Sequence, residues 1–205
     1  MHTHRFFLSQ AMSRELRFVC FAALTGFCKM VAAAEGTKIP LTFSEGYDTD
    51  AKDRGRPVVL IAAALGVTPD VFREAFSGVT PARDGRPSGA EARANKEALM
   101  KVLKPHGITN ERLDEVSDYY RYQPQKGGLW KQVPAKGHVI VEDGKVKQIV
   151  ITEPGSGYST APKVAAKGLE KVAFKVTLKF DKDLKQNGAI KAVELAMPEK
   201  TKPKK

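Results

Sequence analysis

The stretch DGKVKQIVITEPGSGYSTAPKV, from Asp143 to Val164, reads as a strand, a tightly specified turn and the start of a second strand. In Glu153-Pro154-Gly155-Ser156-Gly157-Tyr158, Pro154 presets φ at about −65°, and Gly155 supplies the positive φ that a type II turn needs at its third residue. Upstream, Val146, Ile149 and Ile151 are apolar with a break in parity between the first two, the mark of one extra residue in a bulged strand. Downstream, Pro162 suits the first position of a strand or an edge. The pattern returns near the C-terminus, where Asn187-Gly188-Ala189-Ile190-Lys191-Ala192-Val193-Glu194-Leu195 aligns with Asp143 to Ile151 at an offset of 44 residues. Pro198 falls opposite Pro154, and this second copy has no Gly-Ser-Gly-Tyr.

With those residues in view, VITEPGSGYSTAPKV resembles the Gly-Ser-Gly-Tyr β-repeat of exported bacterial surface proteins and phage structural proteins. The resemblance covers about a third of the chain and implies a β scaffold or adhesion module with no particular activity. Pro154, Gly155, Gly157 and Tyr158 are its structural turn. One full unit and one partial unit argue against a long repetitive fibre. The whole chain also resembles exported bacterial proteins of uncharacterised activity.

Charge and the N-terminus point to the same compartment. A hydrophobic share of 42% with 28% charged residues is that of a globular chain, large enough at 205 residues for one domain or two small ones. Basic residues through Arg17, an apolar run from Phe18 to Cys28 and Ala32-Ala33-Ala34 before Glu35 predict an export signal over residues 1–34. Met12, opening MSRELR, offers a second start with a more conventional layout. The run is too short to span a bilayer, and a buried N-terminal helix is the competing reading. Both cysteines, Cys20 and Cys28, lie in the leader, and Val19 and Phe27 before them exclude a lipoprotein site, so the mature chain is expected to hold no disulfide, thiolate metal site or cysteine nucleophile. Taking the four basic residues and one acidic residue of the leader from 34 and 23 lowers the formal charge from +11 to +8.

The expected organisation is an α+β protein, with N-terminal helical hairpins packed with or beside a small, mainly antiparallel sheet. Residues 35–56 read as an extended, irregular segment. Asp48, Asp50 and Asp53 cluster there, but Lys52, Asp53 and Val59 stand where a calcium loop needs an acid, a glycine and a glutamate, so a polar turn is the better reading. Residues 57–122 form a helical unit. Arg56 to Leu65 is apolar all round, with Pro57 at the first helical position and Gly66 as the stop. Thr68 caps the helix after it, Ser88 and Glu91 have capping-box spacing, and Thr109 caps the last helix, on which Leu113, Val116 and Tyr120 face inward. Gly66-Val67-Thr68 and Gly107-Ile108-Thr109 repeat at an offset of 41, which suggests two hairpins that bury each other's faces. Residues 123–136 are a linker, 137–197 the β unit and 198–205 a basic tail without order. In the β unit, Val172, Phe174, Val176, Leu178 and Phe180 alternate with polar neighbours within a strand from Lys171 to Phe180.

For function the residues leave two classes. Tyr119, Tyr122 and Trp130, with Arg121, Lys126 and Lys131 among them, suit stacking on sugars or bases, and suit still better the docking of one half of the protein on the other, since amphipathic rings fit domain seams. The first use predicts an exported, non-enzymatic binding or structural module whose partner is an envelope polysaccharide or another exported protein. The alternative is a nucleic-acid binder using residues 60–76, which resemble a helix-turn-helix; Asp70 and Glu74 on its reading helix oppose phosphate. No catalytic set, cofactor or metal site is expected. Ser156 has no nucleophile elbow, His106 and His138 stand alone, and Glu111, Glu115 and Asp118 share a solvated helix face.

Overall fold

The computed structural model describes residues 36–80, 87–121 and 130–196. The expected leader, Tyr122, Lys126 and the tail from Pro198 lie outside the described residues. The elements are β1 (Thr37–Ser44), α1 (Val58–Leu65), α2 (Pro69–Ser77), α3 (Gly89–Leu103), α4 (Asn110–Tyr119), β2 (Lys136–Glu142), β3 (Lys145–Glu153), β4 (Lys163–Ala166), β5 (Phe174–Lys179) and β6 (Ala189–Leu195), with 3-10 turns at Ala51–Asp53 and Lys104–His106. Among the described residues this is an α+β fold: four helices, inserted between β1 and β2, with antiparallel sheets of four and two strands. No described helix is long and apolar enough to cross a membrane.

The helices begin where their first-turn N–H groups find side-chain acceptors. Thr68 Oγ1 accepts from Val71 N at 3.3 Å and Thr109 Oγ1 from Arg112 N at 3.2 Å. At α3 the capping box is complete, Ser88 Oγ accepting from Glu91 N while the Glu91 carboxylate accepts from Ser88 N at 2.7 Å. α1 starts one residue later than expected, with Pro57 as its N-cap, and ends at Gly66, whose φ of 77° is the left-handed geometry of a C-terminal glycine. Six of the eight α1 residues are buried, as an all-round apolar helix requires, and they join Phe72, Ala75, Leu103, Leu113, Val116 and Tyr120 in one core.

The capping box carries a pH dependence. The Ser88 backbone N–H holds the Glu91 carboxyl below its ordinary value of 4.5. A depressed folded value means a contribution present above the unfolded value and lost as pH falls through the folded one. Glu91→Gln should therefore lower the thermal midpoint at pH 7 by roughly a degree or two. The gap between variant and parent should begin to narrow near 4.5 and close only as pH falls through the lower folded value, where Glu91 itself becomes neutral.

The segment read as irregular contains β1, a central strand of the larger sheet, whose order is β3-β2-β1-β4. That corrects the expectation for residues 35–56. Ile39, Leu41 and Phe43 do alternate, and Pro40 interrupts the pattern at the point where β1 changes partner. Thr37 to Pro40 pair with β2, and Leu41 to Ser44 pair with β4. A residue without an N–H is tolerated at such a switch in the ladder.

β3 is bulged where the break in apolar parity lies. Ile140 pairs with Gln148 and Val141 with Val146, which leaves Lys147 as the extra residue. In the β5–β6 hairpin, Thr177 pairs with Ala192 and Leu178 with Ile190, which leaves Lys191. The two bulged lysines are separated by the 44-residue offset of the sequence echo. β5 is shorter than the expected Lys171–Phe180 strand: Val172 precedes it, and Phe180 is 45% exposed instead of buried. One face of the larger sheet, with Leu41, Val139 and Ala166, packs with Leu169 and Phe174. Phe43 and Ile151 pack with Ile190, Val176 and Val193 of the smaller hairpin.

Helices and sheets meet through Asn187, which is fully buried at the tip of the β5–β6 hairpin. Its Nδ2 donates to Leu60 O at 2.7 Å and to the Tyr120 hydroxyl oxygen at 2.9 Å, while its Oδ1 accepts from Asp181 N at 3.1 Å. Leu184 and Trp130 enter the helical core alongside. Residues 130–135 are therefore packed structure, which corrects their reading as linker: Val133 bridges to Ser156, and Ala135 is buried.

Candidate functional site

The aromatic residues nominated as a ligand surface divide in the structure. Trp130 is 5% exposed, its Nε1 donates to Gly157 O at 2.8 Å, and its ring lies edge-on to Tyr47. A ring so enclosed has no face left for a ligand, which corrects the expectation for Trp130. Tyr120 is buried on Asn187, and burial raises its hydroxyl well above the ordinary tyrosine value. Tyr119 is half-buried with Lys131 Nζ 5.1 Å above its ring, and Arg121 pairs with Asp118 on the surface. Tyr119 and Arg121 are thus held at the end of α4 by these contacts, and with Trp130 enclosed the three do not form an exposed aromatic platform. Trp130→Phe should keep most of the packing but leave Gly157 O unpaired, at a cost of about 1–2 kcal/mol read as a lowered denaturation midpoint.

Pro154 to Tyr158 forms a seam between the two sheets. Gly155 has the expected positive φ, 65°, and the backbone groups of the Pro154–Gly155 turn bond to neighbouring segments. Ser156 N donates to Val133 O at 2.9 Å, Ile190 N to Pro154 O at 2.9 Å and Gly157 N to Asn187 O at 2.8 Å. The Tyr158 hydroxyl accepts from Ala135 N at 3.0 Å, and its ring stacks on Tyr47 with centroids 5.1 Å apart. Burial and the neighbouring Tyr158 push the Tyr47 hydroxyl far up, so Tyr47 is a neutral packing group near pH 7. Ser156, 3% exposed and held through its backbone, works as a structural residue.

A charged concavity lies between the Ala51–Asp53 turn, the start of α1 and the end of α2. It has a volume of about 360 Å³ and is lined by Lys52, Arg54, Arg56, Val58, Phe76 and Val79, among others. Its frame is an ion pair. Arg73 Nε and Nη2 donate to the two oxygens of buried Asp53 at 2.8 and 2.9 Å, and Nη1 donates to Asp70 at 2.9 Å. Those bonds hold the Arg73 guanidinium charged and immobile. Lys52 is occupied by Asp50 at 3.2 Å.

Arg54 and Arg56 are different, since neither forms a salt bridge with a carboxylate among the described residues. The Arg56 guanidinium lies 4.0 Å from the Phe76 ring centroid, a cation–π contact. Burial first, and then the charge of Arg54, hold its pKa below the usual arginine value, with Asp53 opposing. Arg54 has a φ of 51°, left-handed backbone that costs a residue with a Cβ roughly 1–2 kcal/mol. Behind them a smaller cavity of about 200 Å³ is lined by Asp48, Asp50, Asp53, Arg56 and Arg73; Asp53, which also lines the larger cleft, is neutralised there by Arg73.

Among the described residues no group of His, Cys, Asp and Glu is arranged to hold a metal ion. His106 sits in a 3-10 turn and His138 in β2. Sequence reasoning missed Asn187, Arg54, Arg56 and Phe76. Arg56 and Phe76 are 20 residues apart, and no local pattern marks their meeting. No family model matches the chain, and neither a curated protein nor a solved structure matches it.

Proposed function

We propose that the protein is an exported, non-enzymatic binding module that engages an anionic polymer of the cell envelope, with the Gly-Ser-Gly-Tyr segment as scaffold. The observation that carries this reading is the pair Arg54 and Arg56: two guanidinium groups without a carboxylate partner among the described residues, at the mouth of a concavity with an aromatic wall. The leader-like sequence of residues 1–34, the surplus of +8 beyond it and the Gly-Ser-Gly-Tyr resemblance agree with it. The nucleic-acid reading of residues 60–76 is less favoured. The only arginine of α2, Arg73, is committed to Asp53 and Asp70, and the exposed residues of that helix include Asp70 and Glu74, which repel phosphate.

The test is a binding screen of the chain recovered from a native-like host, whose N-terminus mass spectrometry should place near Glu35. Anionic polysaccharide, neutral polysaccharide and duplex DNA are compared at two salt concentrations. The anionic glycan should be retained best, with a salt dependence shallower than that of a purely electrostatic contact. An intact leader on soluble cytoplasmic protein, or stronger retention of DNA, would remove the reading.

A further inference from the structure

We infer that the cleft formed by Arg54, Arg56, Val58, Phe76 and Val79 is a recognition site for one anionic group, a sulfate, phosphate or carboxylate borne on a sugar ring. This rests on the polymer-binding reading for the identity of the carrier, while the anion site stands on its own geometry.

Three features make the cleft a built site. Arg56 lies over Phe76 at 4.0 Å, and no hydrogen bond from its guanidinium to a described residue occupies its in-plane donors, so they remain directed at a ligand. Arg54 is held in the left-handed region by its N–H to Ala51 O, at the C-cap of the 3-10 turn, which places a second cation beside the first in spite of their repulsion. Beneath them, the Asp53–Arg73 pair satisfies its own charges and leaves the loop rigid. Two cations that crowd each other gain most from an anion bound between them, and the apolar surface of Val58, Phe76 and Val79 then meets the ring that carries it. The volume of about 360 Å³ is at the small end of ligand pockets, which suits one residue of a polymer.

The experiment uses the full processed chain and two probes, inorganic sulfate and a heparin-derived hexasaccharide, titrated by calorimetry and by amide NMR. Arg56→Lys keeps the charge and removes the planar fork, whereas Arg54→Asn removes a charge with a residue that tolerates left-handed backbone. The charge control is Lys175→Gln with Lys191→Gln, both exposed on the β5–β6 hairpin. Arg56→Lys should weaken hexasaccharide binding about tenfold and Arg54→Asn about fivefold, while the control changes it less than about twofold. Circular dichroism should be unchanged in all variants.

Equal weakening by the cleft variants and the control would overturn the site and leave polymer binding as diffuse attraction. Sulfate binding that depends on Arg56 without hexasaccharide binding would keep the anion site and overturn the polymer reading. No binding of either probe overturns both. Tighter, Arg56-dependent binding of a DNA oligonucleotide overturns the assignment to a glycan.

Discussion

Gly188→Ala should destabilise the protein by roughly 4 kcal/mol, whereas Gly144→Ala, the same change at the matching position 44 residues earlier, should cost only about 1–2 kcal/mol. Both glycines have a φ of 70°, so both substitutions carry the same left-handed strain. The surroundings differ. A Cβ at Gly144 meets nothing within 4 Å, since the β2–β3 turn projects into solvent. At Gly188 it would lie 2.5 Å from Tyr158 O, 2.8 Å from Tyr158 N and 2.8 Å from Leu60 Cδ2. Backbone cannot move aside as a side-chain end can, so the strands must separate, breaking the bonds from Gly157 N to Asn187 O and from Tyr158 N to Gly188 O. Urea denaturation of both variants measures the difference, and equal losses would show that the seam is looser than its geometry indicates.

The second large effect belongs to Asn187. Asn187→Leu fills the same space but strands Leu60 O, the Tyr120 hydroxyl and Asp181 N, for a loss of about 3 kcal/mol, or roughly 6–12 °C in thermal midpoint. Asn187→Asp separates hydrogen bonding from size. Its carboxylate would be buried against the Leu60 carbonyl with no proton to donate, so burial would raise its folded pKa above the unfolded value of about 3.9. With the folded value raised, the native state binds the extra proton, and stability falls as pH rises between the two values. Asn187→Asp should thus be about as unstable as Asn187→Leu at pH 8 and recover part of the difference near pH 4. A pH-independent deficit would mean that the carboxylate escapes to water. The chain already carries the aspartate version of this position, Asp143, at an exposed turn where a charge costs nothing.

The elements of the fold were legible where the physics is local. Threonine and serine caps, a glutamate three residues past Ser88, the glycine stops and the parity break over Lys147 each act within one turn or one strand, so residue spacing is enough to find them. β1 was missed since Pro40 masks a strand that draws on two partners, neither of them near it in sequence. The site was less legible. Trp130 and Tyr119 are near neighbours in sequence of similar chemistry, yet one is enclosed by Gly157 and Tyr47 and the other is half-exposed under Lys131. Burial of an aromatic ring depends on what the rest of the chain brings over it.

By itself, then, the order of residues determined the class of fold, the helix caps, the bulge in β3 with its sequence echo 44 residues later, and the excess of positive charge. Only the tertiary structure decided that Asn187 joins the helical and β halves and that Trp130 belongs to the core. It also decided that Arg54 and Arg56 stand without a described carboxylate in a cleft walled by Phe76. The reason is physical: caps and strand periods are set within a few residues, whereas the acceptors of a buried amide's N–H groups and an arginine's surroundings come from segments 20 to 127 residues away.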